Sequence, residues 1–133
     1  MIRIIADSTC NLSREIIDKY DILIAPLTIT INNQTYVDYE EISPQYLYDQ
    51  LPSLKQLPTT AAPSPAIFVD MLKADVKNNI KEFLIITMSS LTSGTYQSAV
   101  VGKDTFLEQN HDDKVKIHVV DSHSMSNGSG YLV

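Results

Sequence analysis

The sequence is poor in the residues that build many catalytic centres. Its 133 residues include one cysteine, Cys10, and no tryptophan. A single cysteine cannot close an internal disulfide. The three histidines, His111, His118 and His123, stand far from it, so no Cys/His spacing of a metal site exists. Cys10 is expected to be a small, partly buried side chain rather than a nucleophile. Basic residues are also scarce: ten Lys and Arg face sixteen Asp and Glu, for a net charge of −6 and a pI of about 4.8. That balance argues against nucleic acid as the main partner and against a polybasic membrane anchor. With only four glycines there is no Gly-rich dinucleotide loop, and no Gly-x-x-x-x-Gly-Lys occurs. No apolar run approaches the roughly 18 residues that span a bilayer. Met1 leads at once into a short strand-like run rather than a signal peptide, so a cytoplasmic protein is expected.

What is present is an ordinary apolar content, 44%, over a length that suits one domain with its own core. Ile2 to Ala6 is a β-branched run that reads as a buried strand. Ser13 is placed to cap a helix over Leu12–Tyr20, with Ile16, Ile17 and Tyr20 on one face. Ile22 to Ala25 is a second strand, stopped by Pro26. Leu27–Ile31 and Gln34–Val37 flank Asn32-Asn33 as a hairpin. Ser43-Pro44 opens a helix with Tyr46, Leu47 and Leu51 on its apolar face. Pro52 to Pro65 reads as a Pro/Ser/Thr loop, and Ser64 as the cap of a helix over Pro65–Asn78. Phe83 to Met88 is a central buried strand. A helix over residues 93–109 follows, burying Tyr96, Ala99, Val100, Phe106 and Leu107. Val115 to Val120 is a last strand. Strands alternating with helices predict an α/β fold around a mostly parallel sheet. Ser124 to Val133 looks like the opening of a further helix, which suggests the front part of a longer protein.

The densest chemistry lies at Ser89–Thr95, where five of seven side chains are hydroxyls. It falls between a buried strand and a helix start, where free backbone N–H groups favour an anion. One or two hydroxyls would suffice to cap the helix; the excess can donate to a carboxylate or phosphate without adding charge. Gly94 permits close backbone approach. Ser93 and Thr95 are the residues expected in direct contact. Asp7-Ser8-Thr9 and Asp121-Ser122 also end strands, and that edge is where open α/β sheets bind ligands. Asp7 is expected to order its turn by accepting N–H bonds. Ser93, His123 and Asp121 invite a serine-hydrolase reading, but the Gly-x-Ser-x-Gly elbow is absent. A phosphosugar-binding turn of Ser-Gly-x-Thr form is the other alternative; here Thr95 follows Gly94 directly.

These motifs together resemble the DegV family, fatty-acid-binding proteins that include the FakB-type subunits of bacterial fatty acid kinase. Asp7-Ser8-Thr9 resembles the family's opening Asp-Ser-Thr, Ala25-Pro26-Leu27 its Val-Pro-Leu, and Tyr36-Val37-Asp38 its Tyr-x-Asp. Thr60-Ala61-Ala62-Pro63-Ser64-Pro65 is similar to a Thr-Ser-Gln-Pro-Ser-Pro pattern. Ser89-Ser90 with Ser93-Gly94-Thr95-Tyr96-Gln97-Ser98-Ala99 resembles its most distinctive motif, and Asp121-Ser122 its strand-end pair. The resemblance implies that residues 1–133 are a DegV-like N-terminal α/β domain, with a second domain beyond residue 133. It implies a long-chain fatty acid as ligand, with no other cofactor and no metal. Thr60 and Ser93 would hold the carboxylate, supported by Ser89, Ser90, Gly94, Thr95, Asp7 and Ser8. The protein would not be a catalyst. It would present the acid to the catalytic subunit of a fatty acid kinase, without a transmembrane segment and with at most transient membrane contact. Ala61-Ala62 departs from the family's Ser-Gln and removes a hydroxyl and an amide beside Thr60.

Overall fold

The computed structural model describes residues 1–133. Its centre is a parallel sheet of four strands: β1 (Ile2–Asp7), β2 (Leu23–Ala25), β6 (Glu82–Thr87) and β7 (Lys116–Asp121), in the order β2-β1-β6-β7. The register sets Ile5 beside Ile85 and Ile85 beside Val119. This row points to one face, where helices α3 (Pro65–Lys77) and α4 (Thr95–Gln109) cover it with Phe68, Leu72, Ala99 and Phe106. Full burial of each large side chain in that layer contributes about 1.5–3 kcal/mol. The two helices approach so closely that a Cβ on Gly102 would stand 2.8 Å from both Phe68 Cβ and the Pro65 carbonyl oxygen. On the other face Ala6, Cys10, Ile17 and Ile22 form a smaller cluster under α1 (Arg14–Tyr20).

A second, separate antiparallel sheet follows β2 in the chain, in the order β4-β3-β5, from β3 (Thr28–Ile31), β4 (Gln34–Val37) and β5 (Thr59–Ala61). Asn32 and Asn33 both adopt the left-handed region, φ 49° and 65°, as a two-residue hairpin turn requires. Helix α2 (Pro44–Gln50) starts as expected, with Ser43 Oγ accepting from Tyr46 N–H at 3.2 Å. One buried ion pair ties helix to sheet. Arg3 Nε donates to Asp75 Oδ2 at 2.5 Å with both side chains only 10% exposed, and Arg3 also pairs with Asp21.

Several expectations change. The Pro52–Pro65 segment is not all loop, because Thr59–Ala61 pairs with β3. Ser64 occupies the N-cap of α3 but its hydroxyl makes no capping bond. The helix expected from residue 93 begins at Thr95, with Gly94 as N-cap, so the hydroxyl turn is longer. Leu107 faces solvent rather than the core, as do Ile16, Tyr20, Tyr46 and Leu51. Only Leu47 of the α2 face packs inward, onto Ile29, Ile31 and Ile42. The segment after β7 forms one short helix, α5 (Asn127–Gly130). No helix is long and apolar enough to cross a membrane.

Candidate functional site

In the strand order β2-β1-β6-β7 the chain runs outward one way from β1 to β2 and the other way from β6 to β7. The loops leaving β1 and β6 therefore diverge, and the crevice between them is the usual ligand position of such sheets. Asp7-Ser8-Thr9 and Ser89–Thr95 both lie there, and Asp121-Ser122 closes the same edge beside β6.

Asp7 is 2% exposed, and both its oxygens are occupied. Oδ1 accepts from the N–H and hydroxyl of Thr9, and Oδ2 accepts from Met88 N–H at 2.6 Å. It orders its own turn, as its position predicts, and also fixes the start of the hydroxyl loop. Ser8, 3% exposed, accepts from Leu27 N–H at 3.0 Å. Ser89 is buried, and its N–H donates to the Ser124 carbonyl at 2.8 Å. Ser90 N–H and His123 N–H both donate to the Asp121 carboxylate. Hydrogen bonds from the Ser90 side chain, then from the His123 and Ser90 backbones, hold that carboxyl below its ordinary value.

Ser93 is the half-exposed hydroxyl of the group. Its Oγ accepts from Thr95 N–H at 3.2 Å and stands 2.8 Å from Thr95 Oγ1. Thr95 is fully buried, directly behind Ser93. The contact with Thr95 fixes Ser93 Oγ at the head of the turn, and either hydroxyl can donate in it. The backbone N–H groups of Tyr96 and Gln97, in the first turn of α4, have no partner within the chain. A Cβ on Gly94 would meet nothing within 4 Å, and its φ of −75° suits any residue. Internal packing and backbone geometry therefore do not demand glycine there.

Thr60 sits in the middle of β5 and is exposed. It opposes Ile29, which opposes Tyr36 on the other side, so the three side chains share one face. Ile29 also lines a cavity of about 260 Å³ with Ser8, Thr9, Asp38 and Tyr39. Burial raises the Asp38 carboxyl above its ordinary value, against hydrogen bonds with Ser8 and Tyr39 N–H. No hydrogen bond joins Thr60 to Ser93, and neither lines that cavity or the apolar groove of about 610 Å³ between α1 and Tyr131–Val133. Sequence reasoning missed the strand that carries Thr60. It also missed the bond from Met88 to Asp7, which only the sheet order brings together.

The triad reading does not assemble. His123 Nδ1 lies 3.5 Å from Asp121, but the imidazole is 78% exposed and Ser93 Oγ bonds Thr95 instead. Cys10 is buried, and burial raises its thiol above the ordinary value, which suits packing rather than attack. No group of three or more His, Cys, Asp or Glu side chains gathers as a metal site.

A DegV domain-containing protein of Clostridium perfringens is 40% identical over 132 residues, 99% of this chain and 45% of that protein. The structure of a stearic acid-binding protein from Eubacterium ventriosum superposes with a TM-score of 0.89 at 29% identity, covering 99% of this chain and 45% of its own. The Streptococcus pneumoniae fatty acid kinase (Fak) B3 protein, loaded with linoleic acid, superposes with a TM-score of 0.76 at 26% identity, covering 95% of this chain and 43% of its own. The chain thus spans less than half the length of each. The family model described as "Uncharacterised protein, DegV family" matches residues 1–133. The parallel sheet, its flanking helices and this match over the whole length agree: the chain belongs to the DegV family.

Proposed function

We propose that this chain is the N-terminal α/β domain of a fatty-acid-binding protein, and that hydroxyl groups, chiefly Ser93 and Thr60, hold the carboxylate of a long-chain fatty acid. The observation that carries the reading is the Ser93 turn. Its half-exposed hydroxyl is held by Thr95 beside unpaired N–H groups of Tyr96 and Gln97 and an open face at Gly94. A monoanion suits such donors at the positive end of a 15-residue helix. A stearic acid-binding relative and one loaded with linoleic acid support a fatty acid as the ligand class.

Neutral hydroxyls orient a carboxylate without the strong hold of an arginine fork. That suits a carrier which must release or hand over its ligand. In this reading the protein is not itself a catalyst. It presents the acid in the cytoplasm to the catalytic subunit of a fatty acid kinase, which brings its own ATP and phosphorylates the carboxylate. The likeness to a fatty acid kinase B3 protein supports that role. A second domain following residue 133 supplies much of the acyl tunnel, which accords with Ser93 and Thr60 lining neither the 260 nor the 610 Å³ cavity. Membrane contact is at most transient.

The test is extraction of the purified full-length protein with organic solvent, followed by mass spectrometry. Co-purified fatty acids, or uptake of added ones, are the expected result. A protein that emerges empty and ignores added fatty acid would defeat the proposal.

A further inference from the structure

Asp7 and Ser8 are adjacent in sequence, almost fully buried, and bonded in opposite directions. Asp7 Oδ2 receives Met88 N–H at 2.6 Å, one residue before the Ser89–Thr95 loop that carries Ser93. Ser8 Oγ receives Leu27 N–H at 3.0 Å, one residue before β3. Strand β3 in turn carries β5, where Thr60 pairs with Ile29. The Leu27 carbonyl accepts from Asp38 N–H at 2.9 Å, so the same residue also anchors the end of the hairpin. Thr60 lies in the antiparallel sheet and Ser93 in the loop that leaves the parallel one, and the two share no hydrogen bond. Besides the covalent chain, this dipeptide is the side-chain link that reaches toward both.

We infer that Asp7-Ser8 is a strut that sets the distance between the two halves of the carboxylate site, Asp7 placing the Ser93 loop and Ser8 placing the Thr60 strand. Both are positioning residues. Both side chains are nearly buried, at 2% and 3% exposure, and act through the backbone they hold. The inference rests on the proposed hydroxyl clamp. Its physical content is coupling: removing Ser8 Oγ matters to binding only while Thr60 is there to be misplaced, and removing the Asp7 acceptor matters only while Ser93 is. Asparagine at position 7 cannot accept on both sides, because its amide nitrogen meets either Met88 N–H or Thr9 N–H as donor against donor.

The test is a set of double-mutant cycles on the full-length protein. Affinity is measured by titration for a long-chain fatty acid and for its methyl ester, which has the same tail without the charged head. Ser8→Ala and Asp7→Asn are each expected to weaken acid binding about fivefold, the scale of one net hydrogen bond, and to leave ester binding unchanged. The Ser8→Ala loss should vanish in a Thr60→Ala background and persist in a Ser93→Ala background; Asp7→Asn should behave the opposite way. Ser8→Thr, which keeps the hydroxyl, should restore acid affinity. Equal losses in every background, or equal losses for acid and ester, would show a general structural defect and overturn the strut while leaving the clamp standing. Wild-type affinity in both Thr60→Ala and Ser93→Ala would overturn the clamp, and the strut with it. Should Ser8→Ala fail to fold, the Asp7→Asn cycle against Ser93→Ala decides the claim from the other arm.

Discussion

Two of the four glycines lie in or beside helix α4, and alanine at each should have opposite consequences. At Gly102 the new Cβ would meet Phe68 Cβ and the Pro65 carbonyl oxygen, each at 2.8 Å. Neither atom can swing away, since one is bound directly to the backbone and the other belongs to it. Overpacking of this kind costs about 1–3 kcal/mol, and two rigid contacts place Gly102→Ala in the upper half of that range. Helix propensity returns about 1 kcal/mol when alanine replaces glycine. The net expectation is a loss of about 1–2 kcal/mol, which for a domain of this size lowers Tm by about 3–10 °C. At Gly94 the Cβ would meet nothing and φ is already negative, so Gly94→Ala carries only the cost of alanine at an N-cap, about 0.5–1 kcal/mol. The same substitution places a methyl group on the open face beside Ser93 and should weaken fatty-acid binding. Thermal melts followed by circular dichroism separate the two. A Gly102→Ala protein that melts at or above the wild-type temperature would refute the close approach of α3 and α4.

Other consequences follow from named contacts. Arg3→Ala leaves the Asp75 carboxylate buried without its partner and should cost about 3–5 kcal/mol in urea unfolding, whereas exchanging both residues for apolar ones should cost much less; equal costs would remove the ion pair from the account. Asp121, whose folded carboxyl sits below its ordinary value, stabilises the folded state above the unfolded value, and that contribution is lost as pH falls through the folded one. Asp121→Asn should therefore melt lower than wild type near neutrality, with the gap closing on acidification below the usual carboxylate range; a gap independent of pH would contradict the Ser90 and His123 bonds. Cys10, buried with its thiol raised, should react with a thiol reagent near pH 7 far more slowly than in the unfolded chain, and equal rates would contradict its burial.

Much of this architecture is written locally. The β-branched runs at Ile2 and Phe83, the Ser13 and Ser43 caps and the Asn32-Asn33 turn each carry a signal within a few residues, and the structure places an element at each. Strand β5 was not legible, because three residues hemmed by Pro58 and Pro63 show no alternation; only pairing with β3, about thirty residues away, makes them a strand. Leu107, Tyr20 and Tyr46 illustrate the reverse error, since helical spacing marks an apolar face but not whether another element covers it. At the site, the hydroxyl excess in Ser89–Thr95 was visible from composition. The division of labour within it was not. Thr95 is fully buried and Ser93 half-exposed, and the Met88 bond to Asp7 exists only because β1 and β6 are neighbours.

The central claim is that hydroxyl groups grip the ligand by its carboxylate. The most direct measurement is nuclear magnetic resonance of a fatty acid labelled with carbon-13 at the carboxyl carbon, bound to the full-length protein and titrated with pH. A carboxylate held by donors should stay ionised to lower pH than the free acid, with a shifted resonance that moves back toward the free position in Ser93→Ala and in Thr60→Ala. A bound carboxyl that titrates like the free acid, and is indifferent to both substitutions, would contradict the account.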